Sequence, residues 1–179
     1  VYREGREPSL DLRRLLVETY LSPFHRSIES SIVTVAEFLL DGHSTVATRG
    51  MSDHQIDLMN FQESSLDDGR RVFSPDVYIE TYAAELRKRL PDVEVTVNAS
   101  EYHDVYGHVC GAHSVNAMRR IGKQVPAVLQ ETCEALYRRP DGRVDVEAVN
   151  RLRRAFAESI HATLRHVHSL RRSQRMLDL

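Results

Sequence analysis

Residues 74–98 read SPDVYIETYAAELRKRLPDVEVTVN. Ser74 at a capping position and Pro75 at the first helical position predict the start of a helix. Val77, Ile79, Tyr82, Ala83, Leu86 and Leu90 then supply one apolar face, and Pro91 ends it. Immediately afterwards Val93, Val95 and Val97 alternate with Asp92, Glu94, Thr96 and Asn98, the period-two pattern of a half-buried strand. A lone strand is not stable in water. This one requires a partner in 43–73, in 108–110 or in a second chain. The predicted fold class is therefore α+β and predominantly helical: a helical bundle with a small β element and a long C-terminal helix.

Toward the N-terminus, residues 1–8 are polar and form a flexible end. Ser9 caps a first helix bearing Leu12, Leu15, Leu16, Thr19 and Tyr20. Ser22-Pro23 interrupts it, because proline disfavours the α conformation of the preceding residue. A second helix carries Phe24, Ile28, Ile32, Val35 and Leu39, and Asp41-Gly42 reads as its stop. Residues 43–73 read as loop-rich, with strand character in STVAT and HQIDLMNF. Beyond the strand, helices are expected over about 114–121 and from Pro126 to Tyr137, followed by a turn at Pro140-Asp141-Gly142. The expected organisation is a compact domain over 9–139 and a basic helix over 145–179. Asp145 caps that helix, and Val149, Leu152, Phe156, Ile160, Leu164, Val167 and Leu170 recur along it at steps of three and four. Some thirty residues of helix span ~45 Å. A narrow stripe on so long a helix is the pattern of a coiled coil or an interdomain arm, so a homodimer is expected. Its histidines would weaken pairing in mild acid.

The 179 residues carry a net charge of -2 with histidine neutral, 41% apolar and 28% charged residues. A packed core is expected, and no basic field draws the chain to nucleic acid. Lys88 and Lys123 are the two lysines among 24 bases, so surface ion pairing is built from arginine forks. Two cysteines, Cys110 and Cys133, make no disulfide framework and point to a reducing, cytoplasmic setting. Whether they pair is open at this level. No apolar run approaches the length of a membrane span.

The densest chemistry lies in residues 101–113, EYHDVYGHVCGAH. His103, His108, Cys110 and His113 are candidate metal ligands, since imidazole and thiolate suit zinc or iron. Glu101 and Asp104 are candidate ligands or outer acceptors. His25 and Glu29 sit four apart on the second helix, as an ion pair or an acid–base pair. Glu158 and His161 have the Glu-x-x-His spacing of bundle metal sites. Arg165, Arg171, Arg172 and Arg175 form a basic run suited to an acidic protein surface. No aromatic residue is interleaved after Phe156, so base stacking is unsupported.

Two function classes follow. One is a soluble regulatory or assembly protein acting through helical surfaces and self-associating through its C-terminal helix. The other is a metal- or haem-dependent enzyme or sensor built on 101–113.

Overall fold

The computed structural model describes residues 9–45, 52–62, 71–99, 113, 118, 120–123 and 125–177, with backbone alone at Gln62, Arg71 and 175–177. His103, His108 and Cys110 lie outside the described residues, as do the side chain of Arg175 and most of the expected 114–121 helix. The chain divides into two units, Val1–Ala36 and Glu37–Leu179.

The first unit is helical. Helix α1 (Leu10–Leu16) is capped by Ser9, whose hydroxyl accepts from the Leu12 N–H. The expected break at Ser22-Pro23 is instead a wider π turn over Val17–Leu21, leading into α2 (Ser22–Thr34). The Ser22 N–H reaches back to the Val17 carbonyl. Widening the turn leaves room for a ring that would otherwise meet a carbonyl of the preceding turn. Helix α2 ends in a run of β-branched residues, Ile32 to Val35, which have low helix propensity.

The second unit is a mixed α/β structure. Four strands, β1 (Leu39–Thr45), β2 (Gln55–Met59), β5 (Glu94–Val97) and β6 (Ala127–Cys133), form one sheet in the order β1-β6-β2-β5. β1 runs parallel to β6, β6 antiparallel to β2, and β2 parallel to β5. A small ribbon pairs β3 (Phe61–Gln62) with β4 (Arg71–Val72). Helix α3 (Asp76–Arg89) and the 32-residue α4 (Val146–Leu177) complete the unit.

The expected strand at Val93–Val97 finds its partner in β2, inside 43–73. Two helical expectations are corrected. Residues 127–133 are the strand β6, and Leu39 belongs to the strand β1. Every residue of β6 is buried, because β6 is central and covered on both faces. Its alternation is therefore lost, and Pro126 before an apolar run imitates a helix start. A sheet, rather than a helical bundle, organises the core.

Ile56, Leu58, Val95 and Val128 share one face of the sheet. They pack with Ile79, Tyr82, Ala83 and Leu86 of α3 and with Leu152 and Ala155 of α4. Polar side chains on this face are internally satisfied. The buried Tyr82 hydroxyl donates to Gln130 Oε1 at 2.8 Å, and Gln130 Nε2 donates to Thr132 Oγ1 at 3.1 Å.

Candidate functional site

The opposite face of the sheet carries a polar row among apolar neighbours. In the strand register His43 lies beside Glu131, Glu131 opposite Asp57, and Asp57 beside Thr96. Side chains of paired residues share a face, so these four form one row across all four strands. Asp41 and Gln55 flank the row, two residues along β1 and β2. Asp57 is 0% exposed and Glu131 4%, an unusual depth for carboxylates.

At the Asp57 end the contacts hold the sheet together. Thr96 Oγ1 donates to Asp57 Oδ1 at 2.7 Å, and the Ala99 N–H donates to the same oxygen at 3.3 Å. Gln55 Nε2 donates to Thr96 Oγ1 at 2.9 Å. Beyond the row, the Asn98 Oδ1 accepts from the Asn60 N–H at 3.2 Å and its Nδ2 donates to Asn60 Oδ1 at 3.1 Å. Asn98 has φ +54°, a left-handed conformation that asparagine tolerates better than most residues.

The His43 end is different in kind. Its Nε2 lies 3.2 Å from Asp41 Oδ1 and its Nδ1 3.3 Å from Glu131 Oε1. The imidazole is thus clamped between two carboxylates, one from its own strand and one from the neighbouring strand. The hydrogen bonds to Asp41 first and to Glu131 second hold the imidazolium and raise its pKa from 6.5 to about 10, against the opposing effect of burial. A histidine held in this way between two carboxylates on strand backbones is a candidate functional group, and a structural ion-pair network has the same effect on its pKa.

Of the residues singled out in the sequence, His113 is buried at 8% exposure. Arg165 and Arg172 are exposed, and Arg171 sets its guanidinium 5.7 Å from the centroid of the Tyr78 ring. Glu158 pairs with Arg89 of α3 at 3.2 Å. Cys133 is a buried free thiol at the end of β6. Among the described residues no group of three or more His, Cys, Asp and Glu side chains is gathered around a metal-sized space. No described helix is long and apolar enough to cross a membrane.

Sequence reasoning missed Asp41, His43 and Glu131. The available signal was the Asp-x-His spacing at 41–43, which on a strand puts both side chains on one face. Reading Asp41-Gly42 as a helix stop concealed it. No family model matches the chain, and no curated protein matches it.

Proposed function

We propose that this protein is a metal-dependent enzyme or sensor, with His43 and Glu131 as two ligands of one divalent metal. The observation that carries the reading is the 3.3 Å separation of His43 Nδ1 from Glu131 Oε1. Two ligand atoms on one tetrahedral zinc, each ~2.05 Å from it, stand about 3.3 Å apart. Without a metal the same contact is the hydrogen bond that holds the imidazolium. Asp41, at 3.2 Å from the other ring nitrogen, then fits the outer carboxylate that fixes a ligand histidine's tautomer and orientation. Two ligands do not complete a metal site, and His103, His108, Cys110 and His113 are the further donors that the sequence offers for test. A divalent metal with an open position supplies an activated water at neutral pH.

The test is metal content by elemental analysis after equilibration with zinc and gel filtration, for wild type, His43→Ala and Glu131→Gln. The expected result is near-stoichiometric zinc in the wild type and its loss in both variants. His103→Ala and His108→Ala then identify the remaining ligands. Wild-type protein that retains no zinc, or variants that retain as much as the wild type, would overturn the reading.

A second reading, assembly through the C-terminal helix, keeps one supporting observation: Arg165 and Arg172 are exposed. In that reading the arginines meet an acidic protein surface or a second copy of the chain. Sedimentation velocity across a range of salt concentrations tests it, since contacts of this kind weaken as salt rises.

A further inference from the structure

β1 forms an edge of the sheet, and its backbone register determines what that edge offers. The Leu39 N–H donates to the Pro126 carbonyl at 2.8 Å. Residues 39, 41, 43 and 45 therefore direct their N–H and C=O groups toward β6, and Leu40, Gly42 and Ser44 direct theirs outward. Among the described residues no strand pairs with that side. The seven residues LLDGHST contain no lysine, no proline and no bulge, and the charged Asp41 and His43 are engaged with each other and with Glu131 on one face of the sheet.

Beside this edge lies a cleft of about 470 Å³. Leu40, Val149, Leu152 and Phe156 give it apolar walls, and Tyr137 and Arg153 line it with polar groups. Arg153 makes no ion pair among the described residues. A pocket this size accepts a side chain or a small group, and an uncompensated guanidinium selects an anion of carboxylate type.

We infer that the β1 edge binds an extended peptide by strand addition, seating an apolar side chain in the cleft and a carboxylate against Arg153. Main-chain hydrogen bonds to Leu40, Gly42 and Ser44 would give affinity, and the cleft and Arg153 would give selectivity. This inference does not require a bound metal, because it uses the outward backbone groups of β1 and the helix-facing side of the strand, although His43 also lines the cleft.

The probe is a fluorescein-labelled peptide of about seven alternating valine and threonine residues ending in aspartate, with a lysine-ended version beside it, read by fluorescence anisotropy on the full chain. The aspartate peptide is expected to bind roughly tenfold or more tighter than the lysine peptide. Arg153→Ala should abolish that preference. Gly42→Pro removes one outward donor while leaving the β6 ladder intact, and a Cβ at Gly42 meets nothing within 4 Å. It should abolish binding with little change in the melting curve. If Gly42→Pro unfolds the chain, amide exchange in the wild type decides: protection of Leu40, Gly42 and Ser44 on adding peptide supports the inference, and unchanged exchange overturns it. Absence of binding at about 1 mM peptide, or binding unaltered by a folded Gly42→Pro, overturns it. So does a concentration-dependent dimer removed by that substitution, which would identify a second copy as the occupant.

Discussion

His43 is the residue whose titration the fold changes most visibly. Its raised pKa means that the folded state binds the proton more tightly than the unfolded chain, where 6.5 applies. The stabilisation is complete below about 6.5 and is lost as pH rises toward about 10. Denaturant unfolding of the metal-free chain should therefore show stability falling across that window, and His43→Gln should flatten the fall. A slope unchanged in the variant would remove His43 as its source. In the proposed metal site the same proton would compete with the metal at Nδ1, so zinc affinity should rise with pH over the same window. At this scale the sequence was partly legible. The histidine-rich 101–113 drew attention by composition alone, whereas His43 and Glu131 are joined only by a strand register that composition does not reveal. No local pattern links residues 88 positions apart.

Elements with caps and clean periods were readable, and elements buried on both faces were not. α3, β5 and α4 lie where the Ser74-Pro75 start signal, the Val93-Val95-Val97 alternation and the Asp145 cap place them, but the N-cap of α3 is Pro75 itself, with no side-chain cap, and the Ser74 hydroxyl donates to the Pro75 carbonyl at 3.3 Å instead. Asp145 Oδ1 accepts from the Glu147 and Ala148 N–H groups at 3.0 and 3.2 Å, and these bonds, with Arg139, hold its carboxyl below the usual range. Asp145→Ala should lower the melting temperature at neutral pH. The difference should shrink as acid takes pH below the ordinary aspartate value and through the depressed folded one, since a protonated cap no longer accepts as a carboxylate. β1 and β6 escaped because Asp41, His43, Gln130 and Glu131 interrupt any apolar period: Asp41, His43 and Glu131 meet on one face of the sheet, and Gln130 bonds Tyr82 and Thr132 on the other. On α4 the buried row Leu152, Ala155, Ser159, Thr163 and Val167 contains small residues that allow close packing. Ser159 Oγ is buried with no hydrogen-bond partner among the described residues. Ser159→Ala should therefore leave stability unchanged or raise it by up to about 1 kcal/mol, measured by urea unfolding. A loss of that size would indicate a partner for the hydroxyl.

Across the second unit as a whole, the decisive question is whether α4 is an arm or a wall. Its length and stripe suit an arm, yet Leu152 and Ala155 are buried in the same cluster as Ile56, Leu58 and Val128 of the sheet and Tyr82 and Leu86 of α3. Ion pairs fix the same helix at its flank: Arg151 with Asp92, and Arg89 of α3 with Glu158. Exposed pairs of this kind contribute little to stability but select the register of one helix on another. Leu152, Phe156 and Ile160 of the stripe are thus engaged within their own chain, while Val149 and Leu170 are exposed. Ending the chain after residue 145 tests the point. If α4 is a wall, the truncated protein should lose its sharp thermal transition, bind hydrophobic dye and retain strand and helix signals without fixed packing, as a core with one side missing does. If α4 is an arm, the truncated protein should melt cooperatively close to the full chain and differ only in its state of association. The burial of Leu152 and Ala155 predicts the first outcome.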